Sequence, residues 1–266
     1  VAAGCTASAT VSDAAGVAYN LTAVFTSADA SNASVLVASP VAEFSVAAHA
    51  AFTNPGLSVT SAASGASAAT PVGSIFALYG SGLATGTAQP NNVPLPTTEL
   101  TTIVTVNGEA VPLFYVSPTQ INAQMPLDIQ PGLATVVVSN GSAMSNSAAV
   151  TVPATATPGI FLYGSNRAVV QNKDLSLNSP TAPAHVGDVA VAYLTGAGPV
   201  NAAGPWISGH ASPNGLSPVT EPATITVGGV AATVNYLVPQ VAAGDRTLLI
   251  TIGGTVSAGA LMSVAN

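Results

Sequence analysis

The chain has 266 residues, with 3 Lys+Arg against 10 Asp+Glu, a formal net charge of −7 and only 5 % charged residues; an ordinary soluble domain carries about 25 %. Three cations cannot form the basic footprint of a nucleic-acid binder, and 48 % hydrophobic residues exclude solvated disorder. No apolar run reaches the roughly 18 residues that a membrane-spanning helix requires.

The chain opens on Val1-Ala2-Ala3-Gly4-Cys5, which faintly resembles a lipoprotein cleavage site. Processing there makes Cys5 the first residue, so a chain beginning at Val1 argues against lipidation. The absence of an initiating Met fits removal of an export signal and a location outside the cell or on its surface. Cys5 is the single cysteine. It forms no internal disulfide, and either bridges two chains or packs as a small hydrophobe. Residues 1–56 form an N-terminal segment with strands expected at Val17 to Thr26, Ser34 to Ala38 and Glu43 to Ala47. The readings that stay open are a partial β domain, strands packed on their own chain, or a donor strand that completes a neighbour's sheet. Gly/Ser/Ala-rich Ser61 to Thr70 then reads as a flexible hinge.

From residue 57 onward the apolar runs are short, β-branched and punctuated by Gly, Pro and Asn. Ile103 to Val106, Ala134 to Val138, Ala223 to Val227 and Thr247 to Ile252 read as strands, because β-branched side chains suit a pleated surface. Asn107-Gly108, Asn140-Gly141, Gly228-Gly229 and Gly253-Gly254 read as two-residue hairpin turns, since such pairs tolerate positive φ. The signals recur in order. Val72 to Gly80 parallels Val186 to Leu194, Val106 to Ala110 parallels Val227 to Ala231, and Pro131 to Val138 parallels Ala243 to Ile250. The chain therefore reads as all-β, with tandem immunoglobulin-like β-sandwiches at 57–153 and 154–266 behind the N-terminal segment. The second copy is shorter between its matching glycines. The missing stretch is assigned to Pro118 to Pro126, which leaves a slot with unpaired backbone for something to fill.

Residues 57–266 resemble the Solibacter-type C-terminal domain family of secreted bacterial proteins. The resemblance is carried by Pro71 to Phe76, Tyr79 to Ala84, Val106-Asn107-Gly108, Pro112 to Pro118 and Gln120 to Pro126. It continues through Pro158 to Phe161, Gln171-Asn172, Leu177 to Pro180 and Thr195 to Pro199. It implies an extracellular, non-enzymatic, Ig-like module and no catalytic residues.

The search for chemistry agrees. No Gly-x-Ser-x-Gly elbow is present, and His49, His185 and His210 offer few bases. His185 and Asp188 share a loop but lack a placed nucleophile. Asn172 to Asn178 puts oxygen-bearing side chains at alternate positions, as a calcium loop does. With Lys173 among them and one carboxylate, a plain hairpin turn fits better. No cofactor or metal is expected. Asn20, Asn32 and Asn140 fit the N-glycan acceptor pattern. Trp206 and the tyrosines at 79, 115, 163, 193 and 236 are candidate platforms for sugars, with Trp206 better read as a plug between sheets.

The charge deficit points to association. Soluble β proteins guard their edges with charge, and this chain has one lysine, Lys173. The expected function is a secreted structural protein, not an enzyme, that assembles with copies of itself into a pilus-like surface filament by strand complementation. The alternative is a monomeric extracellular adhesin or carbohydrate-binding module. The expected partners are other copies of the chain and surface glycans, with no nucleic acid and no membrane span.

Overall fold

A computed structural model describes residues 3–12, 18–27, 50–51, 56–66, 69–141, 143–145, 147–201, 206–213, 217–232 and 237–266, with side chains from residue 56 on. All regular structure among them is β, and no helix is long and apolar enough to cross a membrane. The chain divides into a unit at Val1–Ala50 and a larger one at Ala51–Asn266.

In the N-terminal unit, Ala3–Ser12 and Ala18–Ser27 form a two-stranded antiparallel sheet in unbroken register from Ala3↔Ser27 to Ser12↔Ala18. The second strand matches the expected Val17 to Thr26. The first was not foreseen, because its Ala, Ser, Thr and Gly residues offer almost no β-branched run. The strands expected at 34–38 and 43–47 lie outside the described residues.

The larger unit holds two hydrophobic cores, one built from Val59 to Val152 and one from Ala156 to Val264. Around the first core, Gly132–Asn140 pairs with Thr102–Val106 on one side and Ala148–Val152 on the other. Alternation along these strands turns Val104, Val106, Ala134, Val136, Val138, Val150 and Val152 inward, as the pleat requires. A second sheet, in the order Ser58–Ser61, Ile75–Tyr79, Gln120–Gln124, Leu113–Val116, supplies Phe76, Leu78, Ile121 and Leu113. This two-sheet packing is the immunoglobulin-like sandwich that the sequence pattern indicates.

The second core repeats the plan. Gly244–Ile252 pairs with Ala223–Val227 and Ala260–Ala265, in the places of Gly132–Asn140, Thr102–Val106 and Ala148–Val152. Three expected turns are confirmed by their backbone. Asn107-Gly108 (φ +52°, +87°), Gly228-Gly229 (+59°, +82°) and Gly253-Gly254 (+57°, +82°) all have two positive φ values, the signature of a type I′ hairpin. The fourth is displaced by one residue. Asn140 pairs with Ala143, so Asn140 closes the ladder and Gly141 (φ +60°) leads the turn.

Two further expectations are corrected. The described part of Ser61 to Thr70 is no free hinge. Ser61 Oγ accepts the amides of Ala63 and Ser64, Gly65 N donates to Ser61 O (3.0 Å), and Thr70 N donates to Thr151 O (2.9 Å). Serine hydroxyls tie the turn to itself, and the ladder anchors its end.

The shortened stretch of the second copy is also not the counterpart of Pro118 to Pro126. Gly73 N donates to Met125 O and Met125 N to Ser74 O; in the second copy Gly187 N donates to Val238 O and Val238 N to Asp188 O. Ile75 pairs with Gln124, and Val189 bridges Leu237 in the same manner. Residues 237–238 thus occupy the place of 124–125. Between these matching points the second copy has a shorter chain than the first, and its residues 233–236 lie outside the described residues.

A partly exposed polar network ties strands of the second sandwich together. Arg167 forms a bidentate pair with Asp245 (2.9 and 3.0 Å) and donates to Ser263, whose hydroxyl also reaches Asp245. The Arg167 hydrogen bond, with Ser263 behind it, pulls the Asp245 carboxyl down to about 2. A depressed carboxylate stabilises the fold above its unfolded pKa near 4, and that contribution disappears as pH falls through its folded value. Thermal unfolding of the second sandwich should lose stability between about pH 4 and pH 2. Asp245→Asn should flatten that part of the pH profile and lower stability at pH 7, because Arg167 is left half-paired and only 13 % exposed.

Candidate interaction surfaces

The two copies differ on the outer face of the smaller sheet. In the first sandwich the Ile75↔Gln124 pair is covered by the second. Gly209 N donates to Gln124 Oε1 (2.6 Å, buried), Leu95 N donates to Gly209 O (2.8 Å), and Ile75 N donates to Thr195 Oγ1 (2.7 Å). Gly209 sits at φ +79°, and a Cβ there would lie 3.0 Å from Pro112. Glycine is what lets this loop lie flat on the sheet. Ser208 Oγ adds a bond from Leu127 N (3.0 Å).

In the second sandwich the equivalent face is open. Val189, Val191, Tyr193, Leu237 and Leu177 are 39–48 % exposed. They share a face by register. Val189 and Leu237 are bridge partners, Gln171 pairs with Val191, and Gln171 bridges Leu177. Alternate residues of the strand point the same way, so Val189, Val191 and Tyr193 form a stripe with Leu237 and Leu177 beside it. The Lys173–Asp188 ion pair (2.9 Å) lies at its margin. An apolar centre with a polar rim is the anatomy of a contact surface rather than of solvent-facing sheet.

A second concave region lies where the two sandwiches meet. A cleft of about 660 Å³ is lined by Pro94, Pro96, Glu109, Asp128, Trp206 and His210 among others. Trp206 also borders two neighbouring clefts. The expectation that it plugs the space between sheets is not met. Trp206 belongs to neither core and is half-buried at the junction, with its indole N–H donated to His210 O (3.0 Å). It follows residues 202–205, outside the described set, on a loop whose Gly209 is fixed to the first sandwich. Sequence reasoning had no means to place that loop against a different domain.

The remaining sequence candidates resolve into structure. Asn172 Nδ2 donates to Ser176 Oγ and Ala182 O, and Asn172 Oδ1 accepts from Asn178 Nδ2. Asp174 Oδ1 accepts the amide and hydroxyl of Ser176, which hold its carboxyl below the ordinary range. The loop's oxygens thus serve one another, and the hairpin-turn reading fits. Among the described residues no group of three His, Cys, Asp or Glu is placed to hold a metal ion. His185 and Asp188 are neighbours without being a dyad: Lys173 takes the Asp188 carboxylate, and the His185 ring contacts Asn266 O. His49, Asn32 and Tyr236 lie outside the described residues. Asn20 lies in Ala18–Ser27, opposite Thr10. Asn140 accepts from Thr101 Oγ1 (3.2 Å) and donates Nδ2 to Gly82 O (3.1 Å), so its acceptor nitrogen is already engaged.

Residues 59–154 match the family model of the IPT/TIG domain, which is immunoglobulin-like. The match ends where the first core gives way to the second, between Val152 and Ala156. No curated protein matches the chain.

Proposed function

We propose that the protein is a non-catalytic structural protein of the cell exterior that joins to copies of itself, building a filament through contacts between the β-structures of successive subunits. An IPT/TIG domain favours a general role in protein interaction or adhesion. The resemblance of residues 57–266 to the Solibacter-type family supports a secreted module. The observation that carries the reading is the unequal treatment of equivalent surfaces: Ile75↔Gln124 is covered by the following domain, and Val189↔Leu237 is open. Contacts that repeat head to tail propagate unless they close into a ring. With 5 % charged residues, little repulsion opposes such contacts. Light scattering and electron microscopy of the purified full-length chain should show a mass that grows with concentration and elongated particles. A single monomeric species across that range would overturn the reading.

The cleft at Trp206 favours a second reading, carbohydrate binding. A half-exposed indole beside the carboxylates of Glu109 and Asp128 offers a stacking platform and hydroxyl acceptors. Trp206 is the single tryptophan, so its fluorescence reports on the cleft alone. Titration with cellohexaose should quench or shift that emission, and Trp206→Ala should weaken binding at least tenfold by calorimetry. An emission unchanged at millimolar oligosaccharide would count against this reading.

A further inference from the structure

The N-terminal hairpin has two chemically different faces. In its register Cys5, Ala7, Ala9 and Val11 stand opposite Phe25, Ala23, Leu21 and Tyr19. With Ala3 opposite Ser27 these positions make one face of the pleat, and all of them but Ser27 are apolar or aromatic. The alternate positions, Gly4, Thr6, Ser8, Thr10 and Ser12 opposite Thr26, Val24, Thr22, Asn20 and Ala18, are mostly hydroxyl or amide residues. A two-stranded sheet is marginal in water unless its apolar face is packed against something. Among the described residues this hairpin has no third strand.

The second sandwich presents the complement: the stripe Val189, Val191, Tyr193 with Leu237 and Leu177. None of the stripe or hairpin residues named here is charged, and the Lys173–Asp188 pair sits at the stripe's margin, so the apolar centre can be covered with no ion beneath it. The Val189↔Leu237 end of the stripe is also the position at which the first sandwich, at Ile75↔Gln124, already receives the loop bearing Gly209. The new contact would continue an interface that the chain uses once within itself.

We propose that the apolar face of the N-terminal hairpin of one molecule packs on the Val189–Val191–Tyr193 face of the second sandwich of the next. This rests on the self-association reading and specifies its surfaces. The contact is heterologous, a hairpin of one copy on a sandwich of another, so it repeats in one direction. The stacking is sheet on sheet, as in a sandwich interior, rather than addition of a strand at an edge.

The test is complementation between two full-length variants, Leu21→Asp on the hairpin and Val191→Asp on the stripe. Thr22→Asp and Val230→Asp serve as controls on the other hairpin face and the other sheet. Tyr193→Asp replaces Val191→Asp if that chain fails to fold by circular dichroism. In sedimentation velocity each of the two variants should weaken association at least tenfold, and the controls should assemble as the parent does. An equimolar mixture should form one-to-one dimers and stop there, since one intact hairpin meets one intact stripe. A mixture that stays monomeric would overturn the proposal, because a contact made within one molecule cannot be rescued by another. Variants that polymerise like the parent would overturn it too, while leaving self-association by other surfaces standing. A monomeric parent chain would remove both readings at once.

Discussion

Gly196→Ala is expected to destabilise the second sandwich by about 4 kcal/mol, the sum of a strained backbone and a steric clash. Gly196 holds φ +80°, and a Cβ added there would lie 2.2 Å from the carbonyl oxygen of Thr157. That oxygen belongs to backbone, and Thr157 N is bonded to Gly196 O (2.9 Å). The two chain segments cannot separate without losing this bond. Positive φ alone costs an L-residue about 1 kcal/mol; the rest is the price of the contact. Gly229→Ala supplies the comparison, since Gly229 has φ +82° and open space around it. It should cost only about 1 kcal/mol. Urea unfolding of the two variants measures the difference directly, and equal midpoints would show that the Thr157 carbonyl gives way at no cost. The loss should reach beyond one domain, because neighbouring Thr195 accepts the Ile75 amide of the first sandwich.

The all-β class and the hairpin turns could be read in the sequence because both are local. A Gly-Gly or Asn-Gly pair between β-branched runs specifies a type I′ turn through φ alone, and Asn107, Gly108, Gly228, Gly229, Gly253 and Gly254 obey it. Asn140-Gly141 was off by one because Gly141 also suits the first position of a turn that begins one residue later, and only the pairing Asn140↔Ala143 decides. The repeat was visible for the same reason as the turns. Its gap was misplaced because similar strand sequences align in more than one way, whereas the hydrogen bonds of Gly187 and Val238 admit one alignment.

The candidate surfaces were harder to read. Val189, Val191 and Tyr193 look like any β-strand, and their exposure follows from what is not packed against them. The counterpart Ile75 has the same character and is covered by the loop of Gly209 and by Thr195, each more than a hundred residues away in the chain. Long-range docking of this kind leaves no periodicity. The amphipathic character of the N-terminal hairpin was hidden for another reason. Its apolar positions include Ala7, Ala9 and Ala23, which carry little β propensity, and only the register of the two strands gathers them with Leu21, Phe25 and Tyr19. The charge deficit could be read from composition, but composition does not say which surface uses it.

Asn178 illustrates how a polar residue can hold a sandwich, and its removal should cost about 3 kcal/mol. It is 1 % exposed. Its Nδ2 donates to Ser263 O (2.8 Å) and to Asn172 Oδ1 (3.0 Å), and its Oδ1 accepts from Ser263 N (2.8 Å). The amide thus satisfies both backbone groups of Ser263 on Ala260–Ala265, and its own carbonyl receives the Tyr163 hydroxyl. Asn178→Ala strips partners from a buried N–H and a buried carbonyl, each at about 1–3 kcal/mol. Asn178→Leu should be no better, since volume does not replace a hydrogen bond at an orphaned backbone group. Asn178→Asp separates the two halves of the interaction. It keeps an acceptor for Ser263 N but loses the donor and buries a charge, so at pH 7 it should be the least stable of the three. Burial raises the pKa of such a carboxyl, and the protonated form regains a donor toward Ser263 O. Its deficit relative to the parent should therefore shrink as pH falls from 7 to about 5, a window above that in which Asp245 titrates. Thermal melts of the parent and the three variants across that range check the order, and a pH-independent deficit for Asn178→Asp would show that the side chain reaches water.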